Sequence, residues 1–120
     1  MVELTESNRL DICKKLLSDM LLIKYENTID SYETTVYKLF KMINCDVSIF
    51  RTNQSIVFEG CVKFDNPVNN KSFYNITGYI SLKNSDELFK ETIYELVFAY
   101  YCSLNGNNYQ YSHELLKVLK

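Results

Sequence analysis

Glycine, proline and alanine are scarce in this chain: three, one and one among 120 residues. Glycines as scattered as Gly60, Gly78 and Gly106 do not build the glycine-rich loop that cradles phosphate groups, which excludes the common nucleotide-binding motifs. Histidine is nearly absent as well. His113 is the single imidazole, and its sequence neighbour Glu114 points away from it on a helix, so no acid–base or nucleophile pair can be read there. The four cysteines stand at 13, 45, 61 and 102 with no Cys-x-x-Cys pair, the spacing that structural zinc sites nearly always use. No cofactor or metal is expected.

Long apolar runs are missing too. Nothing approaches the roughly 18 consecutive apolar residues of a membrane span. The opening MVELTESNRLDICKKLL lacks the basic stretch followed by an apolar block that marks a secretory signal. A cytoplasmic protein with reduced thiols buried as small hydrophobes is therefore expected. Nor is there a basic excess. The formal charge is −2, against what a duplex-DNA binder needs.

What remains is ordinary globular material: 47% apolar, 23% charged, and ten tyrosines. This is enough for one domain over residues 1–120 with its own core. The abundance of Asn, Lys, Ile and Tyr beside a single Ala is the mark of an AT-rich coding sequence, as in low-GC bacteria and their phages.

The organising stretch is Ser85–Leu104, SDELFKETIYELVFAYYCSL. Asn84 or Ser85 can cap its first amides, with Glu87 three residues after Asn84 as in a capping box. Leu88, Phe89, Thr92, Ile93, Leu96, Val97, Tyr100 and Leu104 recur at three- and four-residue steps and so share one face. Gly106 offers a left-handed exit.

Earlier in the chain, residues 5–26 carry a helical stripe of Leu10, Cys13, Leu17, Met20 and Leu21, widened by Ile12, Leu16 and Ile23. A break is expected near Asn27–Asp30. Asp30 then caps a second helix, with Tyr32, Val36, Leu39, Phe40 and Ile43 on one face and Asn44 as its exit. One unbroken helix over 6–43 is the competing reading, since no Gly or Pro forces the break.

The period then falls to two. Cys45, Val47 and Ile49 suggest a short strand. In the second, Ile56, Phe58, Val62 and Phe64 face one way, and Glu59, Lys63 and Asp65 the other. A loop is expected at Asn66–Asn70 around Pro67. In the third, Tyr74, Ile76, Ile80 and Leu82 oppose Asn75, Thr77, Tyr79 and Ser81. Gly60 and Gly78 lie mid-strand, where glycine marks a bulge or a close approach. A short last helix from about Ser112 holds Leu115, Leu116 and Leu119. The expected fold is α+β: a three-stranded antiparallel meander packed against helices, in the order ααβββαα.

Two surface features stand out. Glu87, Glu91 and Glu95 fall at i, i+4 and i+8 on one helix. Like charges at this spacing cost an isolated helix a few tenths of a kcal/mol per pair, roughly, so the line is either a solvated face or a docking surface for a basic partner. The segment Ser103–His113, rich in Asn, Ser, Gly and Tyr, has the composition of binding loops, in which Tyr109 and Tyr111 would be the rigid anchors. With no catalytic set in view, the expected function is a non-enzymatic protein-binding module. It would be a small inhibitor that occludes a host or partner macromolecule, itself basic or nucleic-acid-binding. The coding bias points to a phage or mobile-element setting, of anti-defence, anti-CRISPR or immunity-protein type. The alternative is a small-ligand or nucleotide-sensing domain with a cleft between sheet and helices.

Overall fold

The computed structural model describes residues 6–68 and 71–104, with side chains over 8–63 and 74–104. Three helices and one sheet follow in the order α1 (Glu6–Leu21), α2 (Ile29–Lys41), β1 (Val47–Arg51), β2 (Ser55–Val68), β3 (Lys71–Ser81) and α3 (Ser85–Leu104). The class is α+β, and the helix expected from Ser112 lies outside the described residues.

The N-terminal helical pattern resolves into two helices. The first stops at Leu21, earlier than the apolar stripe suggests, and residues 22–28 are non-helical. The second is capped by Thr28 rather than Asp30: Thr28 Oγ1 accepts from Ser31 N at 3.1 Å. A hydroxyl two positions earlier thus does the work assigned to the carboxylate. At the other end Asn44 adopts the left-handed conformation, φ 55°, which asparagine tolerates better than most residues. Cys45 N then donates back to Phe40 O at 3.0 Å.

The sheet is antiparallel with strand order β1-β2-β3. Thr52 closes the first turn, its Oγ1 accepting from Ser55 N at 2.9 Å. The second strand runs further than Pro67 suggests. Strand β2 continues through Asn66–Val68, and Val68 pairs with Lys71, the irregularity being a register shift between Lys63 and Val68. Ladder pairing is interrupted there rather than ended, the usual accommodation of a strand proline.

One face of the sheet is inward. Ile56, Phe58, Val62, Ile76 and Ile80 are buried, as their alternation requires. Leu82 is the exception, 37% exposed, because β3 ends at Ser81 and the chain turns before its side chain can point in. Both mid-strand glycines are close approaches. A Cβ on Gly60 would lie 2.2 Å from Phe40 Cε1, and one on Gly78 would lie 2.7 Å from Phe58 Cζ. Missing side chains let the two rings lie on the strands, where they meet edge to face at 5.8 Å.

Helix α2 packs on β1 and β2, and α3 on β2 and β3. Helix α1 packs mainly on α3, making a third layer. Helix α3 is therefore enclosed from two sides. Phe89, Ile93, Leu96 and Val97 are buried as their period predicts, and Ala99, Tyr101 and Cys102 are buried as well. Among the described residues no helix is long and apolar enough to cross a membrane.

Candidate protein-binding surface

The geometry of α3 decides which of its residues stay at the surface. With the sheet below and α1 above, the flank left to solvent also holds Asp86 and Lys90. Glu87 and Glu91 are exposed on that flank, and Glu95 is partly covered. The expected acidic line therefore exists along about 12 Å of helix, but its three members differ. Burial pushes the Glu95 carboxyl above its ordinary value, since desolvation disfavours the charged form. Among the described residues none of the three forms an ion pair.

The flank has a defined neighbour. Phe98 follows Glu91 by seven positions and Glu95 by three, hence on the same side of the helix. Its ring meets that of Tyr74 on β3 edge to face, with centroids 6.0 Å apart. The acidic line thus runs beside β3, the sheet's far edge. Tyr109, Tyr111 and His113 lie outside the described residues, so the second half of the expected surface is not placed.

At the start of α3 a cleft of about 800 Å³ opens between the α1–α2 connection and the β3–α3 turn, lined by Lys24, Tyr25, Asn27, Lys83, Asp86 and Glu87 among others. Its inner polar groups are already engaged. Tyr25 donates its hydroxyl to Asp86, and burial together with that bond raises the Tyr25 hydroxyl to about 12. Asn27 Oδ1 accepts from Tyr32 and from Ser85 Oγ, the latter at 3.1 Å.

No family model, curated protein or solved structure matches the chain.

The solvent face of the sheet holds a feature that the sequence reading missed. Phe50 pairs with Val57, and Val57 with Tyr79, so the three stand in one row across all three strands. They are 73%, 47% and 53% exposed, an apolar row on a surface otherwise set with Ser48, Glu59, Thr77 and Asn75. Alternation along β3 places Tyr79 in the outer set. Val57 was hidden between Ile56 and Phe58, and Phe50 beside Ile49, where a run of apolar residues blurs the period.

Three of the four cysteines are removed from solvent. Cys13, Cys45 and Cys102 are buried, Cys61 is partly exposed, and all four are free. Burial, reinforced by the nearby Cys102, raises the Cys13 thiol to about 12, and burial alone raises Cys102 to about 11. Thiols held neutral in this way are poor nucleophiles and poor metal ligands. Cys45 donates its thiol to Cys61 O at 2.9 Å. Among the described residues no group of His, Cys, Asp and Glu is arranged to hold a metal ion.

Proposed function

We propose that this protein acts by binding another protein, without catalysis, through the acidic flank of α3. The observation that carries this reading is that Glu87 and Glu91 stand exposed at one-turn spacing and form no ion pair among the described residues. A helix that keeps like charges in line without pairing them gives up about 0.2–0.5 kcal/mol per pair, and a basic partner surface would recover that cost. Acidic residues would steer the encounter, and Tyr109 and Tyr111, which follow the helix in sequence, would serve as anchors. The small size, the lack of a catalytic set in the sequence, and the AT-rich coding bias favour an inhibitor that occludes a host or mobile-element macromolecule, of anti-defence, anti-CRISPR or immunity-protein type.

The cleft beside Tyr25 is the observation that favours the alternative, a small-ligand sensor. Its volume suits a small molecule. Its Tyr25–Asp86 and Asn27–Ser85 bonds count against it, because a ligand would have to displace them.

The reading is tested with the double charge reversal Glu87→Lys, Glu91→Lys. The wild-type protein, used as bait in extract of its native host, is expected to retain a basic protein in stoichiometric amount, released by raising the salt. The reversed variant is expected to lose it, with association slowed more than dissociation is accelerated. Retention of the same protein by the variant with unchanged salt dependence would overturn the reading. So would loss of biological activity in His113→Ala with binding intact.

A further inference from the structure

We infer that the partner presents a basic amphipathic helix, one of whose apolar side chains enters a hollow between α1 and α3 while its lysines or arginines meet Glu87 and Glu91. This rests on the protein-binding reading above and adds an apolar anchoring point beside the acidic flank.

The hollow is the first part of the case. It has a volume of about 220 Å³ and lies over Met20, Ile23, Phe89 and Ile93, between the end of α1 and the first half of α3. Small-molecule sites run from about 300 to 1,000 Å³ and bring several polar groups together. This one is smaller and its floor is apolar, which suits a side chain better than a metabolite. The apolar surface also continues outwards. Leu21 stands half-exposed at the mouth. Leu22, next in the chain, is 76% exposed, more than any other large apolar side chain among the described residues. Helix α1 therefore ends on two leucines in water beside a recess lined by core residues. A contiguous apolar patch rimmed by charge is the mark of a contact site, as scattered single leucines are not.

Charge at the rim then selects the occupant. Asp86 and Lys90 border the hollow one turn apart. Glu87 and Glu91 follow them by one residue each, about 100° further round the helix, and all four are exposed. The hollow and the acidic flank are thus neighbours on the solvent side of α3. Asp86, Glu87 and Glu91 against Lys90 leave that side negative, and the Tyr25 hydroxyl holds Asp86 in place. The spacing fits a second helix lying alongside. Glu87 and Glu91 are about 6 Å apart along the axis, the separation of two basic residues four positions apart on any helix. Apolar residues repeating at three- and four-residue steps form a stripe next to those bases, so one of them faces Leu21 while the bases face the glutamates. This is recognition of a helix in a groove, with charge setting the choice of helix. Two occupants from this chain fit less well. The undescribed C-terminal residues begin after Leu104, about 16 Å of helix beyond Ile93. The α2 of a second copy, with Lys38 and Lys41 exposed, would make a head-to-tail contact that grows into rings or filaments.

The test uses the full chain and a synthetic peptide of about sixteen residues, long enough to be partly helical in water, with leucines and lysines on adjoining helical stripes. A peptide of the same composition with the stripes scrambled is the control. Binding is measured at two salt concentrations, and alkylation of Lys90→Cys, at the rim of the hollow, is followed by mass spectrometry. The striped peptide is expected to bind about tenfold more tightly than the scrambled one and to slow the alkylation. Leu21→Ser is expected to lower its affinity about tenfold with the salt dependence kept. Glu87→Lys, Glu91→Lys is expected to lower the affinity and remove the salt dependence, and Phe50→Ser, on the far face of the sheet, to change neither. Equal binding of the two peptides, or unhindered alkylation in the complex, would overturn the proposal. So would slow alkylation in the free protein. At a mass of 14.1 kDa that result would mean that the chain covers the hollow itself, and at a multiple of it that a second copy does. If charge reversal weakens binding and Leu21→Ser does not, the acidic surface stands and the hollow falls. If Leu21→Ser weakens binding and charge reversal does not, the acidic reading falls and takes the proposed occupant with it.

Discussion

Glu95 differs from its neighbours Glu87 and Glu91 in one respect: it is partly removed from water. Its carboxyl is accordingly held above the ordinary value of 4.5 in the folded protein, whereas the unfolded chain titrates at that value. Between the two values the native state holds more protons than the unfolded one, so stability falls as pH rises through this window. At neutral pH the full penalty of the charge is present. Glu95→Gln is therefore expected to stabilise the protein at neutral pH, with the gain disappearing once the pH drops below the ordinary carboxylate value. Urea melts of both proteins at the two pH values check this. A variant that is less stable at neutral pH would mean that the carboxylate has a partner. The glycines teach a related lesson at this scale. Gly60 and Gly78 were legible as close approaches, but the approaching rings, Phe40 and Phe58, were not, because the sequence says where a side chain is missing and not what fills the space.

Among the elements, α3 explains both what could be read from the chain and what could not. Its period placed Phe89, Ile93, Leu96 and Val97 in the core, where they are. Tyr101 and Cys102 lie off that stripe and are buried too, because α3 is packed against α1 as well as the sheet, and α1 is far away in sequence. Leu96→Ala is expected to cost about 2–5 kcal/mol, as for a leucine truncated in a close-packed core. Lys90→Ala, on the exposed side, should stay within about 0.5 kcal/mol. Equal shifts of the two urea midpoints would place the wrong face inward. Element ends were the least legible part. Asp30 and Thr28 are both plausible caps, and only the local backbone chose Thr28. Leu82 continued an apolar alternation that the strand itself did not continue, and Asn66–Val68 carried loop chemistry inside a strand that pairs on with a shifted register.

For the molecule as a whole, the buried side chains of all three helices and the sheet form one contiguous cluster, from Cys13 to Tyr101. A single cooperative transition is expected on heating, with far-ultraviolet dichroism and tyrosine fluorescence changing together. Separate midpoints would mean that α1 or the hairpin unfolds on its own. The acidic half of the candidate surface was legible because helical spacing is a property of sequence alone. The row Phe50–Val57–Tyr79 was not, since it depends on which strands become neighbours.

The place of α1 has a consequence for the order in which the protein is made. This helix packs mainly on α3, yet α2 and the entire sheet lie between the two in the chain. On the ribosome it emerges before its partner and waits until α2 and the whole sheet have been synthesised. During that interval Cys13, Leu17 and Met20 have no surface to cover them, and the inner face of the hairpin is likewise bare. Until then the nascent chain exposes an apolar helix and an apolar sheet face together, the kind of surface that chaperones shield. Packing of α3 between α1 and the sheet covers both apolar faces.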